Sequence, residues 1–318
     1  MGNIKLFELL AVIMVLLSII VIPGKAYAGT GREAINISIL HTNDTHGNFQ
    51  IISETGKSLN NSIVSTKKII DSKTNNSYLL LLDAGDITSY KNPDFSVVEK
   101  DLLAMDALSY DAMTLGNHEV DFGLDKFKQL SRKVKFPILC ANLIDKKTNS
   151  CFFTPYVIKK LGKTRIAIFG LTTDVLMTNL IESDKERFTM LGTNEAYLKI
   201  LPELKEKADF IIFLSHLGIE MDREFAKAHP EVGLIIGSHS HTFLNTPEFV
   251  DKVCIVQTGK FANCLGRTDI KIQDGKLISA DGQLIQITPP PAPADPNVTP
   301  SPSSAPAPVT PKKKPAKK

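Results

Sequence analysis

Five times along this chain a short apolar run stops abruptly at a polar cluster of Asp, His or Asn. Ile35-Asn36-Ile37-Ser38-Ile39-Leu40 runs into Asp44-x-His46, and Tyr78-Leu79-Leu80-Leu81-Leu82 into Gly85-Asp86. Ala112-Met113-Thr114-Leu115 leads to Gly116-Asn117-His118 with Asp121 close behind. Phe210-Ile211-Ile212-Phe213-Leu214 ends at His216, and Leu234-Ile235-Ile236 at His239-x-His241. The run at 78–82 is apolar on both faces, which suits a strand buried inside a parallel or mixed sheet. A fold that buries several such strands side by side carries their polar ends to one edge, and an α/β scaffold assembles sites there.

Between these runs the spacing predicts helices over 63–70, 95–108, 125–132, 195–207 and 222–228, a strand over 137–143, and a hairpin of 156–160 and 165–170 turning at Gly162-Lys163. Residues 253–257, 265–272 and 276–287 alternate like antiparallel strands, with turns at Gly259 and Asp274-Gly275. There is no internal repeat. One α/β domain of mixed sheets is expected, spanning residues 29–288.

Both ends differ from this pattern. Lys5 precedes an uncharged apolar run over 9–22, Pro23-Gly24 breaks it, and Ala26-Tyr27-Ala28 has the small-x-small form of a secretory cleavage site. Residues 1–28 therefore look like a signal peptide and predict a secreted, periplasmic or cell-surface protein. The competing reading is an uncleaved anchor, for which the run is short of the roughly 20 residues a span needs. Residues 289–318 contain 11 of the 18 prolines and end in Lys312-Lys313-Lys314-Pro315-Ala316-Lys317-Lys318, the composition of a disordered Pro/Ala/Lys-rich tail. The net charge of +3 divides into +1 for the leader, +4 for the tail and −2 for the stretch between. A near-neutral core argues against a basic nucleic-acid-binding face, while the lysine tail suits either an anionic cell surface or simple solubilisation.

Cys140, Cys151, Cys254 and Cys264 form no C-x-x-C and lie apart from the polar clusters. Export would permit disulfides. Cys140–Cys151 across a short loop and Cys254–Cys264 across a hairpin turning at Gly259 are the expected local pairs, against free buried thiols.

Carboxylate, imidazole and amide oxygen without sulfur is a ligand set for divalent Mn, Zn, Fe, Co or Mg, and strand alternation would put an i, i+2 pair on one side. Six or seven such groups exceed what one catalytic ion with an open position uses, and two ions sharing a carboxylate need about that number.

These motifs, Ile39 to Gly47, Gly85-Asp86, Met105 to Gly123, Ser215-His216-Leu217-Gly218 and Gly237-Ser238-His239-Ser240-His241, resemble in order those of the calcineurin-like metallophosphoesterases. Within that family the chain resembles the N-terminal catalytic domain of bacterial 5′-nucleotidases and UDP-sugar hydrolases. The resemblance implies a mixed β-sheet sandwich flanked by helices. It implies that Asp44, His46, Asp86 and His241 hold one metal ion, and that Asp86, Asn117, His216 and His239 hold a second, with Asp86 as the bridge. It also implies a catalytic dyad of His118 and Asp121, whose i, i+3 spacing lets the carboxylate orient the imidazole. Nucleotides or similar small phosphate monoesters would be hydrolysed by metal-activated water, with His118 serving the leaving oxygen. A phosphodiesterase or pyrophosphatase acting on cyclic or sugar nucleotides, and a non-catalytic surface metal-binding protein, are the alternatives. The nucleotidases it resembles hold the base with aromatic residues of a second, C-terminal domain. Here the last strand passes into the proline tail, so broad substrate use is expected.

Three further residues stand near the motifs. His41 suits a supporting or packing role as well as that of a ligand, His229 before Pro230 is expected at the surface, and Asn142 is expected to be a turn amide rather than a substrate contact. Glu119 opens a zincin-like His-Glu-x-x-His but Asp121 and the missing second His exclude that motif.

Overall fold

The computed structural model describes residues 33–50, 77–89 and 93–287. The leader, the helix expected over 63–70 and the tail lie outside the described residues.

Two six-stranded sheets lie face to face. The first runs, edge to edge, Lys276–Gln286, Cys264–Gln273, Ile35–Thr42, Ser77–Asp83, Ala112–Thr114 and Ile138–Leu139. Its last four strands are parallel and its first two pairings antiparallel. The second runs Glu248–Val250, Val253–Val256, Leu234–Ile236, Phe210–His216, Thr164–Thr172 and Tyr156–Leu161, parallel through its middle and antiparallel at both edges. This is the expected α/β sandwich of mixed sheets.

Side-chain alternation explains the layering. Ile37, Ile39, Leu80 and Leu82 of the first sheet meet Ile166, Ile168, Ile212, Leu214, Leu234 and Ile236 of the second, all buried in one cluster. The residues between them point outward. Leu40, Leu81 and Met113 pack under the helices Phe95–Ala107 and Leu124–Ser131 through Leu102, Met105 and Phe127. Phe169, Phe213 and Ile235 pack under Thr193–Lys207 and Ile219–Ala228 through Tyr197, Leu204 and Phe225. Strands with a hydrophobic load on both faces require a covered sheet, which is why the leucine run cannot lie at a solvent face.

Several expectations are corrected. The strand expected over 137–143 is two short ones, because Cys140 N–H and Ala141 N–H donate to Thr154 and Gly170 rather than extending one ladder; Leu143–Asp145 joins a third small sheet with Ser150–Cys151 and Phe188–Met190. All four cysteines are free thiols. Gly259 is not a hairpin tip: Val253–Val256 belongs to the second sheet and Cys264–Gln273 to the first, so Cys254 and Cys264 sit on strands of different sheets. Cys140 donates to Asn142 Oδ1 at 3.3 Å and Cys151 to the Ala141 carbonyl at 3.4 Å, so neither thiol is turned to the other as its partner. His229 is not at the surface; it is buried against Tyr197 and Phe225, its Nε2 2.7 Å from Asn194 Oδ1. Asn142 is not a local turn amide but bridges to a distant strand, donating to the Thr172 carbonyl and accepting its N–H.

His41 settles on packing. Its ring is buried, fills the space a Cβ on Gly266 would need, and has Thr268 Oγ1 3.3 Å from Nε2. Burial pushes its pKa down to about 3. Below pH 6.5 the unfolded chain takes up a proton that the folded one refuses, so this stability is complete above pH 6.5 and is lost as pH falls towards 3. At pH 5 the loss is about 2 kcal/mol. Urea unfolding of wild type and His41→Gln at pH 7 and pH 5 should show a shallower pH dependence in the variant; identical slopes would contradict the buried neutral ring.

Candidate active site

All five polar clusters leave the carboxyl ends of parallel strands, Ile35–Thr42, Ser77–Asp83 and Ala112–Thr114 from the first sheet, Phe210–His216 and Leu234–Ile236 from the second. Because the two sheets face one another, these ends converge.

Strand alternation is not what pairs Asp44 with His46 or His239 with His241. Asp44 (φ 49°), His46 (φ 48°), Asp86 (φ 61°), His239 (φ 68°) and His241 (φ 56°) all occupy left-handed backbone, a region where Asp and His are over-represented among non-glycine residues but which still costs energy. Main-chain bonds hold the turns in place: Asp44 N–H donates to Gly85 O at 2.9 Å, and His46 N–H to Asp86 O at 3.0 Å.

Two donor groups result. Ligand atoms of Asp44, His46 and His241 lie within 4.8 Å of one another, and so do those of Asp86, His216 and His239. In the first, His46 Nδ1 donates to the Thr88 carbonyl at 3.0 Å, which leaves the Nε2 lone pair of the neutral ring facing His241 Nε2 at 3.1 Å. Asp44 Oδ1 is 3.5 Å from that His241 nitrogen, while Asp44 Oδ2 accepts from Ser238 Oγ, Asn43 Nδ2 and His239 N–H. In the second, His216 Nδ1 donates to the Ala84 carbonyl at 2.7 Å and turns Nε2 towards Asp86 Oδ2 and Asn117 Oδ1, each 3.2 Å away. Two oxygens around one imidazole nitrogen require something positive among them. Without an ion that is a proton: burial disfavours the charged ring, but the Asp86 carboxylate outweighs it and carries His216 to about 10. Burial above all, with the neighbouring imidazoles, holds His46 and His239 below their ordinary value. Lone pairs aimed at a common point, with ring tautomers fixed from behind and no sulfur, fit a divalent cation in each group.

His118 and Asp121 sit beside the first group. His118 Nδ1 is 2.9 Å from Asp121 Oδ2, its ring is 5.7 Å from that of His46, and its N–H donates to Asp86 Oδ1 at 2.9 Å. Burial opposes the imidazolium, yet the Asp121 hydrogen bond and the Asp86 and Asp121 charges raise His118 above its usual pKa.

Glu119 was legible only as a rejected zincin residue. It is fully buried and accepts three main-chain N–H groups, from Gly116 at 2.7 Å, Asp86 at 2.9 Å and Thr88 at 3.1 Å, thereby joining two loops of the site. Burial and the neighbouring Asp86 charge push its carboxyl up to about 7. Gly116 must lack a side chain, since a Cβ there would stand 2.2 Å from Asp86 Oδ1. Glu119→Gln sets an amide N–H₂ against main-chain donors and should weaken metal binding roughly 10–100-fold, as loss of a ligand's support does. Isothermal titration with Mn²⁺ checks this, and unchanged affinity would contradict it. Asn179, also unanticipated, donates to the Asn117 carbonyl at 3.0 Å.

A sandwich with converging strand ends, histidine and carboxylate donors and a His-Asp pair is the framework of a metal-dependent phosphoric ester hydrolase. The family model for calcineurin-like phosphoesterases matches residues 37–243, and the chain belongs to that family. It is 31% identical to UshA of Escherichia coli over 80% of this chain and 52% of that protein. To human 5′-nucleotidase it is 33% identical over 83% of this chain and 51% of that protein. Among solved structures, the 5′-nucleotidase precursor of Thermus thermophilus superposes with a TM-score of 0.66 at 26% identity, over 80% of this chain and 55% of that one. The calcineurin-like phosphoesterase YfkN of Bacillus subtilis superposes with a TM-score of 0.64 at 25% identity, over 80% of this chain and 92% of that one. The chain thus spans about half the length of the curated relatives it matches.

Proposed function

We propose that this protein is an exported two-metal phosphoesterase that hydrolyses nucleotides, as a 5′-nucleotidase does, or similar small phosphate monoesters. The observation that carries the reading is the pair of adjacent donor groups with the His118–Asp121 pair beside them. Asp44, His46, Asp86 and His241 are assigned to one ion and Asp86, Asn117, His216 and His239 to the other. Bound there, divalent ions supply Lewis-acid neutralisation of a phosphoryl group and a nucleophile at neutral pH. The chain's own residues do the rest. Asp121 holds the Nδ1 proton of His118, so the protonated ring presents its second proton at Nε2 to a leaving oxygen, and the neighbouring carboxylates favour that protonated form. Glu119 and the main-chain bonds between the loops keep the donors fixed while charge develops.

The nucleotide preference is drawn from the relatives named 5′-nucleotidase, and export from the leader sequence alone. Mn²⁺-loaded protein should hydrolyse AMP, UMP, glycerol phosphate and nitrophenyl phosphate with kcat/KM values within roughly 30-fold of one another, the spread allowed when the site makes few base-specific hydrogen bonds. Turnover confined to cyclic AMP or UDP-glucose would overturn the monoester reading, and a preference above a thousandfold for one nucleotide would overturn the broad specificity.

A further inference from the structure

The loop after Val253–Val256 holds two consecutive non-glycine residues in left-handed backbone. Phe261 and Ala262 both have φ near 58°, a left-handed conformation uncommon for any side chain and a genuine outlier for one as bulky as phenylalanine. The loop is lashed to the site. Phe261 N–H donates to the carbonyl of Asp44 at 2.8 Å. Asn43 Nδ2 donates to Gly259 O at 2.8 Å, and its Oδ1 accepts from Thr258 N–H at 2.9 Å and Thr258 Oγ1 at 2.6 Å. Asn43 thus grips this loop through both its amide nitrogen and its amide oxygen, one residue before Asp44. What the strained backbone holds is the phenyl ring. It stands 5.6 Å from the ring of His46 and 6.3 Å from that of His241, half-buried, with the Lys260 ammonium 5.0 Å from its centre. His118 flanks the same His46 ring at 5.7 Å, so His118 and Phe261 are both ring neighbours of one histidine of the site.

We propose that Phe261 is a specificity-determining wall for the leaving group, packing against esters whose alcohol carries a flat, largely apolar ring, a nucleobase or an aryl group, and that Asn43 positions it. This rests on the phosphoesterase reading. The chemistry is ordinary: an aromatic face offers a flat ring area and quadrupole that a short alkyl chain cannot use, and the contact is tolerant of base identity. Such a wall favours ring-bearing esters as a class without selecting one nucleotide.

Backbone strain makes the test clean. Phe261→Gly removes the ring while relieving the left-handed conformation, and Phe261→Asn removes it with a residue that tolerates that conformation. Metal content by elemental analysis and Tm confirm that each variant is folded and loaded. Binding of phenylphosphonate and of methylphosphonate, neither of which can be hydrolysed, is then measured by calorimetry, alongside kcat/KM for AMP and glycerol phosphate. Both variants should weaken phenylphosphonate binding and AMP turnover roughly 5–30-fold, and the methyl and glycerol compounds less than about twofold. Equal losses on all four ligands, or no loss on any, would overturn the wall. If the wild type binds the phosphonates with selectivity that the variants lose, yet hydrolyses neither ester, the phosphoesterase reading fails and the wall stands.

Discussion

Asp86→Ala is expected to abolish hydrolysis and to deplete both metal positions at once. The side chain is buried, with one oxygen 2.9 Å from the His118 N–H and the other 3.2 Å from His216 Nε2, so it touches the second donor group and the dyad's main chain together. Its charge is built into the surroundings. Burial alone would raise its carboxyl pKa, but His216, His118 and His46 hold it below the ordinary carboxylate range. Removing the carboxylate leaves His216 and His118 without their common counter-charge. Asp44→Ala, by contrast, deletes a donor of the first group and should damage mainly that position. Elemental analysis after dialysis distinguishes these outcomes, and two full equivalents of metal retained by Asp86→Ala would show that the residue bridges nothing.

His118→Asn should keep both metal ions and lose roughly 10²–10⁴ in turnover of alkyl phosphates, the usual range for a positioned acid. The amide retains a polar group at the turn while removing the imidazole whose Nδ1 Asp121 holds at 2.9 Å, and with it the Nε2 proton. Because an acid matters in proportion to the basicity of the leaving oxygen, nitrophenyl phosphate should suffer much less. A parallel fall on both substrates would remove the acid role and leave His118 a structural residue.

Most of the architecture was legible because buried strands announce themselves by composition. The run Tyr78 to Leu82 became Ser77–Asp83, and the isoleucine and phenylalanine run from Phe210 became Phe210–His216. The donor residues were legible for the same reason, since a polar cluster must follow each strand where the core ends. What was not legible depends on contacts between distant residues. Glu119 acts on Asp86 and Thr88, 33 and 31 positions away, and nothing local marks it apart from its place after His118. The Cys254–Cys264 pairing failed because Gly259 looks like a hairpin turn whichever sheet its flanks enter, and here its contacts include Asn43, more than two hundred residues upstream. The backbone reason for the i, i+2 donor pairs was also misread: alternation on an extended strand and left-handed turns both place two side chains together, and only φ separates them.

Metal titration of chelator-stripped protein, followed by nitrophenyl phosphate hydrolysis, tests the two-metal site most directly. Activity should be absent in the stripped protein and should rise with added Mn²⁺ to a plateau at two equivalents. Full activity after stripping, or a plateau at one equivalent, would contradict it.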